Sequence, residues 1–136
     1  MTHVPESLKA DVEQRAGGRC EYCRLSQVSQ EARFHVDHIL PVKLGGSTTL
    51  GNLCLACVSC SLRKGAKTHA IDPASHATVP LFHPRRHEWP AHFRWREVEL
   101  CGLTPIGRAT VATLRLNRPL IIEIRREEAF RGRHPS

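Results

Sequence analysis

Asp37 and His38 are adjacent in the segment His35-Val36-Asp37-His38-Ile39-Leu40-Pro41, which lies between two Cys-x-x-Cys pairs, Cys20/Cys23 and Cys57/Cys60. A carboxylate beside an imidazole suits hydrolysis. The carboxylate can hold a hard divalent cation, and the imidazole can take a proton from water. On an extended segment neighbouring side chains point to opposite faces, so the two groups can divide the work. Phosphodiester hydrolysis fits that division: a cation stabilises charge on the phosphate and the leaving oxygen, and a base generates the nucleophile. Taken alone the dipeptide says little, because most Asp-His pairs are simply solvated.

The cysteines around it say more. Zn²⁺ prefers soft thiolates in a tetrahedron, and a Cys-x-x-Cys turn brings two sulfurs to one ion. Residues 24–56 separate the two pairs. That gap is longer than in a compact zinc ribbon and implies a functional insert between the knuckles. The expectation is a structural zinc on Cys20, Cys23, Cys57 and Cys60. A redox dithiol or four buried thiols are the other readings of these residues. The redox reading is the weaker, because a thioredoxin-like centre uses a single motif at a helix start in an α/β pattern. Cys54 and Cys101 fall outside the spacing and read as small buried hydrophobes.

These residues must be positioned by a small scaffold. With 136 residues the chain is expected to form one domain over residues 1–136. Only 5% of residues are aromatic and 40% hydrophobic, with nine Gly and nine Pro, a composition typical of a loop-rich fold that a metal staples. No apolar run is long enough to span a membrane. No basic stretch followed by an apolar one opens the chain, so a cytoplasmic protein with thiols instead of disulfides is expected. The formal charge of +7 favours a polyanionic partner, most simply nucleic acid, although a merely basic surface would give the same number.

Residues 5–16 read as a helix, with Pro5 at its start, Glu6 at the positive end of the dipole, and Leu8, Val12 and Ala16 at four-residue intervals. Gly17-Gly18 ends it. Residues 34–36 and 53–56 read as short strands, and a helix is expected from Cys57 to about Lys64, stopped by Gly65. Further on, Asp72-Pro73 and Val79-Pro80 indicate turns. The alternation of Phe93 with Trp95 and Val98 with Leu100 predicts a hairpin turning near Arg96-Glu97. Thr104-Pro105 caps a helix to about Leu114, and Pro119 opens a last one. The two terminal helices are expected to pack on the central unit.

Cys20-x-x-Cys23, then Val36-Asp37-His38-Ile39-Leu40-Pro41, Gly45-Gly46, Asn52-Leu53, Cys57-x-x-Cys60 and Lys64-Gly65, taken together, resemble the HNH endonuclease family in order and spacing. The motif core covers about residues 20–67. The stretch from 68 to the C-terminus, with its Pro-Leu-Phe-His-Pro-Arg-Arg segment and Ile-Gly-Arg-Ala-Thr helix, is similar to the extension of one sub-family through about residue 119. The resemblance implies an α+β fold: a small, zinc-stapled ββα-metal core with an N-terminal helix and C-terminal hairpin and helix additions. It implies His38 as general base, Asp37 as ligand of a catalytic Mg²⁺, Mn²⁺ or other divalent ion, and Asn52 as the brace of the loop that carries the base.

One position departs from the pattern. The third family letter, His or Asn, should follow the second knuckle directly, and there the chain has Ser61. Serine is shorter and a poorer ligand. Either the nuclease works with a weakly held cation, which is the favoured alternative, or catalysis is lost and a zinc-containing nucleic-acid-binding module remains. His35 or His83 could compensate. His35 lies two residues before Asp37, hence on the same strand face, where it could equally be a satisfied strand histidine.

Arg63, Lys64 and Lys67 follow the helix that the resemblance turns towards the scissile phosphate, and Arg85-Arg86 form a second basic cluster. Each could contact phosphate without reading sequence, or simply be solvated. Trp89, Phe93 and Trp95 could stack on bases but are better explained as core. No recognition helix is evident, so low sequence preference on DNA is expected, with RNA left open. The chain could act as a monomer or a homodimer.

Overall fold

The computed structural model describes residues 3–135. They fall into two compact units, Met1–Ala66 and Lys67–Ser136. Both mix helices with short antiparallel strand pairs, as expected for a small α+β protein.

In the first unit, helix α1 (Glu6–Arg15) starts at Pro5, carries Glu6 in its first turn and buries Val12 completely. It ends where Gly17 and Gly18 adopt positive φ, a conformation that costs glycine nothing. The last-turn Arg15 guanidinium donates to the carbonyls of Leu50 at 2.9 Å and Leu53 at 2.7 Å, fastening the helix to the start of a strand. Strands β1 (His35–His38) and β2 (Leu53–Ala56) pair antiparallel, with Asp37 opposite Cys54 and His38 opposite Leu53. All four β2 residues are buried, whereas β1 is half-buried along its length. Leu53 and Leu55 anchor the core with Val12 and Tyr22. A fully buried leucine contributes about 1.5–3 kcal/mol, so a core this small leaves room for a metal to decide stability.

Helix α2 (Val58–Lys64) follows β2 after one residue, Cys57, whose Sγ accepts from the Cys60 N–H. The order strand, loop, strand, helix is the one the motifs predict.

The second unit begins with a hairpin of β3 (His69–Ile71) and β4 (Thr78–Pro80). Its turn is built on Asp72, which is fully buried and accepts from Ala74 N–H, the Ser75 hydroxyl and a forked Arg108. The turns at 72–73 and 79–80 were expected, but this hairpin was not. Strands of three residues carry too little alternation to be seen in sequence. A four-residue helix α3 (Trp89–His92) leads into the hairpin of β5 (Phe93–Arg96) and β6 (Glu99–Gly102). The expected turn is present, and with no Gly or Asn available Glu97 takes the left-handed conformation at φ 57°.

Thr104 caps helix α4 (Pro105–Thr113), its hydroxyl accepting from Gly107 N–H at 3.0 Å, and Pro119 opens α5 (Pro119–Phe130). Asn117 clamps β6, receiving Leu100 N–H and donating to the Leu100 carbonyl, both at 2.8 Å. Phe93 is buried, Trp89 packs against it at 5.1 Å, and Arg125 stacks over Trp95 at 5.0 Å. These aromatics are therefore packing groups. Cys54 is buried as expected, but Cys101 on the two-stranded β5–β6 sheet is half-exposed, a correction to its core assignment. No described helix is long and apolar enough to cross a membrane.

Candidate active site and metal centre

Two knuckles bring the cysteines together. In each, the second cysteine's N–H points at the first cysteine's sulfur, at 3.5 Å for Cys23 to Cys20 and 3.4 Å for Cys60 to Cys57. The first knuckle is tied to β2 by Glu21, whose N–H donates to the Leu55 carbonyl while its carboxylate accepts from Leu55 N–H, both at 2.8 Å. All four Sγ atoms lie within 4.8 Å of one another. A tetrahedral zinc with bonds of about 2.3 Å sets its sulfurs roughly 3.8 Å apart, and Cys23 and Cys57 stand 3.8 Å apart.

The electrostatics agree with a bound cation. Burial pushes the Cys20 thiol well above its ordinary value, and its sulfur neighbours push Cys60 up. Cys57 is pulled far down, because Cys20, Cys23 and Cys60 donate to it. Burial disfavours thiolates packed side by side, whereas a central dication lets the sulfurs ionise together. The residues fit a structural metal ion such as Zn²⁺. Cys54 is not part of this centre: burial raises its thiol to about 12, and it contacts Tyr22 Oη at 3.7 Å. Such a thiol is unreactive.

The loop between β1 and β2 is held from inside by Asn52. Its Oδ1 accepts from Leu40 N–H at 2.9 Å, and its Nδ2 donates to the carbonyls of Leu40 at 3.0 Å and Ser47 at 2.8 Å. Its backbone carbonyl takes Ile39 N–H at 2.8 Å. The brace is thus backbone-directed, and it fixes the two residues that follow His38. Gly46 makes the close approach possible, since a Cβ there would collide with the Leu40 carbonyl.

His38 sits at the end of β1 with its Nε2 2.8 Å from Thr48 Oγ1. A hydroxyl can donate or accept, so either tautomer of His38 is compatible with this contact. Thr48 has no sequence signature: its nearness to His38 comes only from the folded loop. When Thr48 accepts from Nε2–H, Nδ1 keeps the lone pair a general base needs.

Asp37 is half-buried, and its carboxylate has no hydrogen-bond or ion-pair partner among the described residues. On the same strand, His35 Nδ1 reaches Ser61 Oγ at 2.8 Å. β1 therefore connects directly with the residue that replaces the third family letter.

The family model for HNH endonuclease matches residues 20–67. That segment is similar to the HNH endonuclease family. No curated protein and no solved structure matches the chain.

The matched segment carries His35, Asp37, His38, Asn52 and Ser61 on β1, its loop and α2, with the four-cysteine centre in the same unit. Asp37, His35 and Ser61 would supply a carboxylate, an imidazole and a hydroxyl to a divalent cation. The four cysteines are the only group of three or more candidate ligands among the described residues, so water would complete any cation shell at Asp37.

Two expected positions change character. Lys64 is 3% exposed and its ammonium donates to the Ile39 carbonyl at 3.0 Å, so it supports the loop from within and does not form a surface phosphate contact. The helix puts Lys64 on its buried face, which a charge at a helix end does not advertise. His83 belongs to the second unit, and its Nδ1 receives the backbone N–H groups of Arg85 and Arg86. That nitrogen cannot ligate a metal while those bonds persist. Arg63 and Arg85 are half-exposed, and Lys67 and Arg86 are exposed.

Proposed function

We propose that the protein is a metal-dependent endonuclease that hydrolyses DNA phosphodiester bonds with little sequence preference. The observation that carries this is the half-buried Asp37 carboxylate, without a hydrogen-bond or ion-pair partner among the described residues, on the same strand as His35, which meets Ser61, and His38, which meets Thr48. A half-buried carboxylate without a donor is costly unless something cationic shares its site.

In the proposed reaction His38 takes a proton from water as its oxygen bonds to phosphorus. The bond from phosphorus to the leaving sugar oxygen breaks, and that oxygen gains a proton from solvent. Asn52 and Lys64 hold the backbone that follows His38, so the imidazole need not reorganise during the step. A divalent cation beside Asp37 supplies charge stabilisation at the phosphate and leaving oxygen when bound. Arg63 and Lys67 add phosphate contacts that are insensitive to sequence.

A second reading has its own support. The Ser61 hydroxyl is already engaged by His35, which favours a zinc-containing nucleic-acid-binding module without catalysis. Supercoiled plasmid incubated with Mg²⁺, Mn²⁺ or no added cation separates the two. Cation-dependent conversion to open circles is the expected result. Binding without conversion under any cation would leave the module.

A further inference from the structure

Three of the second unit's six histidines, His83, His87 and His92, cluster outside the proposed active site. The His87 ring centroid lies 6.3 Å from that of His83 and 5.1 Å from that of His92. Clustered imidazoles suggest a metal, but the hydrogen bonds of two of them point elsewhere. A backbone N–H can only donate, so a ring nitrogen that receives one must present its lone pair. His83 Nδ1 receives Arg85 N–H at 3.2 Å and Arg86 N–H at 3.1 Å, and His87 Nδ1 receives His83 N–H at 2.9 Å. In the neutral rings the proton therefore sits on Nε2. In both rings the Nδ1 lone pair is taken by backbone N–H groups, which leaves Nε2–H as the donor. Their nitrogens accordingly form no candidate metal cluster, the four cysteines being the only one among the described residues.

The turn that holds these donors is built rather than loose. Arg86 N–H and His87 N–H both return to the His83 carbonyl, at 3.1 and 2.9 Å. Pro84 stiffens it. Phe82, 2% exposed, anchors it through its N–H to Thr110 Oγ1 at 2.9 Å and its ring edge against Phe93 at 5.2 Å. Arg85 and Arg86 add two positive charges to the same five residues. Neutral N–H donors beside guanidinium groups on a rigid turn match the oxygens of a phosphate.

We propose that the turn His83–His87 is a phosphate-binding site, in which His83 and His87 donate Nε2–H to phosphodiester oxygens of nucleic acid and Arg85 and Arg86 supply the charge. The nucleic-acid part rests on the function proposed above; the oxyanion chemistry rests on the turn alone.

Asparagine tests it, because its Oδ1 can replace Nδ1 as acceptor of the backbone N–H while the Nε2–H donor is lost. Zinc-loaded full-length protein, wild type and His83→Asn, His87→Asn and Arg86→Ala, is titrated with a short DNA duplex at several salt concentrations. Each His→Asn change should weaken binding on the order of tenfold with the slope of log K against log salt unchanged, since no counterion contact is lost. Arg86→Ala should reduce that slope by about 0.9. In ¹⁵N spectra the wild-type His83 and His87 rings should show the Nε2–H tautomer and shift when the duplex is added.

Equal DNA binding by wild type and both asparagine variants would overturn the proposal, as would rings found in the Nδ1–H form. Shifts with inorganic phosphate but none with DNA would make this a small-anion site and overturn its nucleic-acid assignment. Loss of nuclease activity is not a readout here: if no cleavage is ever seen but the asparagine variants still bind DNA tenfold more weakly, the site stands and only the proposed catalysis falls.

Discussion

The imidazole Nδ1 of His35 meets the hydroxyl of Ser61 at 2.8 Å, joining β1 to the first residue after the second zinc knuckle. Ser61 stands where the resemblance implies a longer ligand, and a histidine reaches it from the strand that carries Asp37. Replacing Ser61 with Asn should strengthen cation binding and lower, by several-fold, the Mn²⁺ concentration that half-saturates cleavage. His35→Ala, which removes the imidazole that would serve the cation, should weaken cation affinity by about tenfold. An unchanged metal dependence in both variants would place Ser61 away from the cation.

Asn52 offers a sharper structural test, because its amide uses both ends. Asn52→Ala removes three side-chain hydrogen bonds and should destabilise the protein by about 2–4 kcal/mol. Asn52→Asp keeps the acceptor for Leu40 N–H but sets a carboxylate oxygen against the carbonyls of Leu40 and Ser47. The aspartate should therefore be no better tolerated than alanine, and both should lower cleavage by loosening the loop after His38. Denaturant melts with single-turnover rates check this. An aspartate variant of wild-type stability would contradict the brace.

Arg63 and Lys64 are neighbours in sequence with opposite expected behaviour. Arg63→Ala should lessen the salt dependence of DNA binding by roughly 0.9 in slope, the signature of one lost phosphate contact. Lys64→Ala should leave that slope alone and lower the melting temperature, since it strips the Ile39 carbonyl of a buried donor. Equal changes in slope for the two would mean that Lys64 reaches the phosphates after all.

The four-cysteine centre should hold one zinc per chain. A strong chelator should unfold the first unit, because binding energies of about 10–16 kcal/mol at such centres exceed what a small core supplies. Elemental analysis and circular dichroism before and after chelation read both. Retention of the full helical signal after metal loss would show that the first unit stands on its core alone.

The sequence made the first unit readable because its chemistry is local. Paired cysteines, Asp37-His38 and Gly45-Gly46 each encode their geometry over a few residues, and β2 and α2 start and stop within one residue of where those motifs put them. What stayed hidden depends on contacts across the fold. Thr48 meets His38 only after the loop closes, Lys64 turns inward only because Ile39 lies beneath it, and the β3–β4 hairpin is too short to show alternation. Asn117 clasps Leu100 in the second unit with the same two-ended amide that Asn52 uses on Leu40, yet no motif surrounds it. A lone Asn in the turn between two helices gives no sign of which strand it will hold.

The most direct test of the central claim is the cleavage rate of a defined duplex by zinc-loaded protein across a Mn²⁺ titration, wild type beside His38→Ala. A cation-dependent wild-type rate that falls by about 10²–10⁴ in His38→Ala, with DNA binding and zinc content unchanged, is the predicted result. Cleavage at the same rate in both proteins, or DNA bound but never cut by the wild type at any cation concentration, would contradict it.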